Sequence, residues 1–195
     1  CVGALGEFDK ILEAKGAIVN AATWKDYTFY YVTLPKGENN KDLNLAIELH
    51  ADMMLDPVLP EEEIGPAFDL NDTEVKEKRE RHVVIEEIRM RKDQPWTKVY
   101  NATNHAMYKE HPYKRDVIGT PEIISQVTRE DIMNYYQTFY SPENMTTIIV
   151  GDFNHDEILA KVEKEFDFKG RKNAPKKSLE ADKLNIATKT KLGTQ

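Results

Sequence analysis

A chain of 195 residues, 40% hydrophobic and 31% charged, is long enough for one domain with a real core, or at most two small ones, and has an ordinary globular composition. No apolar run is long enough to cross a bilayer, and the net charge of −7 argues against nucleic acid as the main partner, while remaining compatible with a basic peptide. Cys1 is the single cysteine, so no internal disulfide can form; a start at Cys rather than Met is what a chain beginning inside a longer protein would have.

In chain order, LGEFDKILEAKG carries Leu5, Phe8, Ile11 and Leu12 at helical spacing, with Gly16 as a C-terminal stop. AIVNAAT and YTFYYVTL are rich in β-branched and aromatic residues and predict a hairpin around WKD, ended by PKGENN. DLNLAIELHADMML predicts an amphipathic helix with Leu43, Ala46, Ile47, Ala51 and Met54 on its stripe, closed by Pro57 and Pro60. PEEEI starts another helix, and the polar GPAFDLNDTEVKEK is expected to be a surface insertion. A long helix runs toward DQPW, and WTKVYNATNHAMYKE forms the next. HPYKRDVIGTPEII predicts a loop, and Thr128 caps REDIMNYYQTFY, with Asp131 echoing a capping box. SPENM is a turn, TTIIVGDF a strand and HDEILAKVEKEF a helix. From residue 169 the chain is Lys-rich, with a short strand expected in NIATKTKL. Hairpin strands beside clustered helices predict an α+β fold, an antiparallel or mixed sheet with helices packed on one face.

One helix carries an anomaly. At about 100° per residue, Glu80 and Glu87 fall about 20° apart, with Val84 and Ile88 on one side and Val83 on the other. Both carboxylates are therefore expected to face inward, with Glu86 about 120° away toward solvent. A bare buried charge is costly, so the pair needs either arginine partners, among which Arg81, Arg89 and Arg91 are near, or a metal or catalytic role.

The five histidines offer no helical metal-ligand pair and no H-x-x-E-H. His50 is expected at an interface and His111 in a structural hydrogen bond; His105 and His155 are expected at the surface, and His82 points about 160° from Glu80. No phosphate-binding glycine loop is present, and Ser125, Ser141 and Ser178 lack a nucleophile elbow. Sequons at Asn71, Asn101 and Asn144 matter only if the protein is secreted.

Six segments, taken together and in order, carry more than any one of them: LEAKGAIVNAATWKDYTFYYVTLP, LAIELHADMMLDPVLPEEEI, ERHVVIEEIRMRKDQP, HPYKRDVIGT, YSPENM and VGDF. The set resembles the pitrilysin and mitochondrial-processing-peptidase family of zinc endopeptidases, the inverted zincins, from about Gly6 to about Gly170. The resemblance implies a processing-peptidase-like half-domain that lacks its first strands. It implies that Glu87 is a zinc ligand, that Glu80 supports the site from behind the ligands, and that Asn20, Ala21, Ala22 and Thr23 form an edge strand to which an extended peptide substrate adds. In the family the histidine motif that completes the zinc site comes shortly before the segment matching GEFDKILEAKG, so the resemblance implies a position ahead of Cys1 for it.

On this reading residues 1–168 form a partial peptidase-like N-terminal domain with an insertion at about 65–78, and residues 169–195 a linker or extended tail leading toward a second domain. The function implied is part of a zinc-dependent metalloendopeptidase, inactive as this chain alone because H-x-x-E-H is absent from it. The alternative is a non-catalytic subunit of the same family with a structural or peptide-binding role. The partners implied are a peptide and a second peptidase-like domain or subunit, with no nucleic acid and no membrane segment.

Overall fold

A computed structural model of the chain describes residues 6–71 and 79–168. Its elements run α1 Glu7–Glu13, β1 Ile18–Thr23, β2 Thr28–Thr33, α2 Lys41–Leu55, α3 Glu61–Ile64, α4 Glu80–Lys92, α5 Pro95–Met107, α6 Pro121–Ile124, α7 Arg129–Phe139 and α8 His155–Glu165. The fold is α+β and rich in helix, with a two-stranded antiparallel sheet among the described residues. It divides into two compact units, residues 6–58 with 135–168, and residues 59–71 with 79–134.

In the first unit α1 ends where predicted. Gly16 takes φ 71°, a left-handed conformation that suits glycine, and its N–H closes on Glu13 O at 2.8 Å. The hairpin pairs Ile18 with Thr33 through to Thr23 with Thr28. Pleating sends Val19 and Val32 to one face, where they pack with Leu34 against a core of Leu12, Ala46 and Leu49. Ala46, Ile47, Ala51 and Met54 of the predicted stripe are buried on α2, together with Leu49. On α8, Asn154 Oδ1 accepts from the N–H groups of Asp156 and Glu157 at 3.0 and 3.1 Å. Lys161 joins α8 to α2 through Glu48. Three tyrosine hydroxyls complete the unit: Tyr136 donates to Met54 O at 2.7 Å, and Tyr30 and Tyr140 share a hydrogen bond of 2.7 Å.

His50 sits at the interface expected of it. Its Nδ1 donates to Ala46 O at 3.2 Å and its ring lies 6.2 Å from that of Phe8. Burial lowers its pKa from the ordinary 6.5, outweighing that hydrogen bond. Above pH 6.5 the ring is neutral in both folded and unfolded chains. As pH falls through 6.5 the unfolded chain takes the proton first, so stability is lost toward acid. Denaturant midpoints between pH 7.5 and 5.5 are expected to fall less in His50→Gln than in the wild type; equal slopes would remove His50 as the cause.

The segment TTIIVGDF does not form the predicted strand. Residues 145–150 have no ladder partner among the described residues, and Ile148 and Val150 are 79% and 91% exposed. Strand propensity is present, but a strand exists only as half of a pair. Lys36 anchors the end of this segment on Asp152, at 3.0 Å to its carbonyl and 2.6 Å to its carboxylate.

In the second unit a buried cation joins separate stretches of chain. Arg81 on α4 is 5% exposed and donates to Gly65 O at 3.0 Å, Ile124 O at 2.5 Å and Val127 O at 2.7 Å. Ile85 and Ile88 share its face and are each 2% exposed. The capping box at α7 forms: Thr128 N–H and Oγ1 donate to Asp131 Oδ2 at 2.9 and 2.7 Å, and Asp131 N–H donates to Thr128 Oγ1 at 3.1 Å. The predicted loop before it contains a helix, α6, because Thr120 and Pro121 supply a cap and a first-turn proline. The described part of the expected insertion is pinned, since Phe68 N–H donates to Ser125 O at 3.2 Å and Gln126 Nε2 to Phe68 O at 3.0 Å. Its remainder, 72–78, lies outside the described residues, as do the tail 169–195 and its expected strand.

Candidate functional site

Glu80 and Glu87 occupy the first and third turns of α4 and lie on one face of it, but that face is not the buried one. The helix buries Arg81, Ile85 and Ile88, a stripe centred about 120° around the helix from the acids. Both acids are exposed, correcting the expectation that they face inward. The cause lies in the sequence: α4 carries two apolar arcs, Val84–Ile85–Ile88 and Val83–Met90, and the described residues cover only the first. Val83 and Met90, which flank Glu87 on its own face, are 55% and 68% exposed.

Arg91 meets Glu87 one turn on, with Nε and Nη2 at 3.0 and 2.9 Å from Oε1. Glu86 pairs separately with Arg89 at 2.5 Å on the solvent side, as expected. Of the three arginines that could neutralise the acid pair, Arg91 alone reaches Glu87; Arg81 is spent on backbone carbonyls.

Asn20, Ala21, Ala22 and Thr23 all lie on β1. Trp24 N–H donates to Tyr27 O at 2.8 Å, and the ladder alternates from there, so Ala22, Asn20 and Ile18 bond to β2 while Val19, Ala21 and Thr23 turn their amides to the outer edge. That edge has no strand against it among the described residues. Ala21 N–H is taken by Asn20 Oδ1 at 2.8 Å, a side-chain cap on an open edge.

The histidines behave as anticipated. His111 Nδ1 accepts from Tyr113 N–H at 3.2 Å, and His105 and His155 are exposed. His82 stacks on Phe68 with centroids 4.4 Å apart, away from the acid pair, and both its ring nitrogens are buried without partners among the described residues. Sequence reasoning missed Arg81 as a structural keystone. Its spacing with Ile85 and Ile88, at i, i+4 and i+7, was the available signal.

As a zinc donor, Glu87 offers a carboxylate oxygen of a kind zinc accepts, on an accessible face. The described residues contain no cluster of three or more His, Cys, Asp or Glu side chains able to hold a metal. The donor chemistry fits one position of a zinc site and does not complete it.

Known proteins share this sequence and fold. The family description "Insulinase (Peptidase family M16)" matches residues 4–121, and "Peptidase M16 inactive domain" matches residues 126–192. An uncharacterized zinc protease of Mycobacterium leprae is 34% identical over 167 residues, which is 84% of this chain and 34% of that protein. The crystal structure of a protease from Helicobacter pylori superposes with TM-score 0.71 at 32% identity, over 89% of this chain and 37% of that one. The first half of the periplasmic protease PqqL from Escherichia coli superposes with TM-score 0.67 at 25% identity, over 82% of this chain and 33% of that one. The chain thus spans about a third of the length of the relatives it matches. With more than half its residues inside the first family description, and a fold shared with a protease of Helicobacter pylori, the chain belongs to the insulinase family, peptidase family M16.

Proposed function

We propose that this chain is part of a zinc-dependent metalloendopeptidase in which Glu87 is a metal ligand and Glu80 supports it. The observation that carries the reading is the composition of the α4 face: the two carboxylates share it with Val83 and Met90, apolar side chains left largely exposed. A face meant for water has little reason to be both apolar and acidic. A face meant for a packed helix bearing H-x-x-E-H, with a cation between, has reason to be both. Zinc, when bound, would polarise a peptide carbonyl and lower the pKa of its water. This chain's own part is to offer Glu87 as a donor and to seat an extended peptide along Asn20–Thr23 by backbone hydrogen bonds.

Residues 1–168 would then be the partial peptidase domain, with 169–195 leading toward a second peptidase-like domain or subunit. The 195-residue chain alone is expected not to hydrolyse peptides, because one carboxylate does not hold a catalytic zinc. A non-catalytic subunit is the second reading, and the Glu87–Arg91 ion pair favours it, because it satisfies the acid without a metal. The test is the zinc content and peptidase activity of the complete protein. About one zinc per chain together with peptide hydrolysis carries the first reading; a folded, metal-free and inactive protein carries the second.

A further inference from the structure

We propose that Asn20 is a guard on the free edge of β1, a side-chain acceptor that occupies the Ala21 amide until an extended peptide displaces it. The inference rests on the reading of Asn20–Thr23 as a peptide-binding edge and goes further, to how that edge is kept from pairing when no peptide is there. Asn20 and Ala21 lie in the middle of β1, and Ala21 N–H donates to Asn20 Oδ1 at 2.8 Å.

The position of the amide gives the contact its meaning. Ala21 is the middle one of the three residues that turn their amides outward, with Val19 and Thr23 on either side. In an antiparallel ladder a residue that turns its N–H outward turns its C=O the same way, so an antiparallel guest residue opposite Ala21 would use both groups. Asn20 Oδ1 takes the first and leaves the second. A guest strand can therefore touch the edge, but it completes its ladder only when the Asn20 side chain swings away. That side chain is exposed, so its rotation is fast, and the contact lowers the affinity of the edge without imposing a slow step.

The residue type argues the same way. Asparagine is disfavoured inside strands, and its side chain is short enough to bond a neighbouring backbone amide. Along the strand its neighbours on the same face are Ile18 and Ala22, neither of which offers a side-chain partner. Across the ladder it faces Tyr31, whose ring stacks on Phe29 at 5.7 Å. An open edge on a hairpin as apolar as IVNAAT and TFYYVT is a template for unwanted pairing. Such edges are blunted with charge, proline or a bulge, and β1 carries none of these. A capped central amide is the one device it has.

The test uses the complete protein, isotope-labelled at alanine, and extended fluorescent peptides without charged side chains. Hydrogen exchange is read at the Ala21 amide relative to its intrinsic rate, with Ala22, whose amide bonds to β2, as the control in the same strand. Binding is read by anisotropy. Asn20→Ala is expected to speed exchange at Ala21 about threefold or more, to leave Ala22 unchanged, and to tighten peptide binding by roughly the same factor. Asn20→Asp puts a charged acceptor in place of the amide oxygen, and is expected to slow exchange at Ala21 and weaken binding. Opposite shifts in the two variants cannot come from a general loss of fold. Equal Ala21 exchange in all three proteins overturns the guard and leaves the edge reading standing. Weaker binding in Asn20→Ala also overturns it, and makes Asn20 a contact of the bound peptide. Methylating alternate peptide amides tests the edge itself, because it blocks strand addition and spares the side chains. Binding that survives every such methylation, or no binding of any extended peptide, overturns the edge reading and the guard with it.

Discussion

Glu87→Ala is expected to lower the zinc affinity of the complete protein by at least about 100-fold, while Glu86→Ala leaves it unchanged. The contrast tests the helix rather than the mere presence of acid, since the two residues are neighbours in sequence and point to different sides of α4. Glu86 is 63% exposed at its side chain and engaged with Arg89, and it has no place on the Glu80–Glu87 face. The ion pair between Glu87 and Arg91 does not stand in the way. It is an i,i+4 contact with both side chains about half exposed, and such pairs contribute roughly 0.3–0.5 kcal/mol. Zinc coordination is worth far more, on the order of 10 kcal/mol for a full structural site, so a completed site would take Glu87 from the arginine. Glu80→Ala is expected to cost about 10–100-fold, the effect of removing a group that orients a ligand without being one. Metal content after dialysis against a graded chelator series reads all three variants. Full zinc retention in Glu87→Ala would remove the residue from the site. Equal loss in the Glu86 variant would mean that the helix as a whole had been disturbed.

What could be read from sequence was what is decided locally. The turn at Gly16, the hairpin around WKD, the buried stripe of α2 and the Thr128–Asp131 cap each depend on residues within about two turns of one another, and each formed. The TTIIV segment failed because its missing determinant is a neighbouring strand, which no local pattern contains. The acid pair was placed on the correct common face and on the wrong side of the burial boundary. Angles along a helix follow from sequence at about 100° per residue, but which of two apolar arcs is covered depends on what packs there. Val83 and Met90 are as apolar as Ile85 and Ile88, and sequence alone does not say which pair is covered. The candidate site was thus legible as a set of residues and not as a surface.

Arg81→Ala is expected to destabilise the second unit by about 3–5 kcal/mol. The reasoning starts from the three carbonyls. Gly65 lies in one stretch of chain and Ile124 and Val127 in another, and the guanidinium from α4 meets all three oxygens within 3.0 Å. Hydrogen bonds to a charged donor contribute about 1.5–3 kcal/mol each, and leaving a buried acceptor unsatisfied costs about 1–3 kcal/mol. These contributions are not additive, and burial already opposes the arrangement, lowering the Arg81 pKa and leaving Nε without an acceptor among the described residues. That cost is why the net figure stays well below the sum. Lysine is no substitute, because one ammonium cannot reproduce a planar fork spread over three carbonyls, and Arg81→Lys is expected to lose roughly 2 kcal/mol. Urea unfolding gives the size of the effect, as a lower midpoint at unchanged slope. Amide exchange gives its place: protection is expected to fall along α4 and α6 and to persist along β1, β2 and α2, which belong to the other unit. A loss below about 1 kcal/mol in Arg81→Ala would mean that water enters and satisfies the carbonyls, and the cation would then be a convenience of packing rather than the tie that holds three segments together.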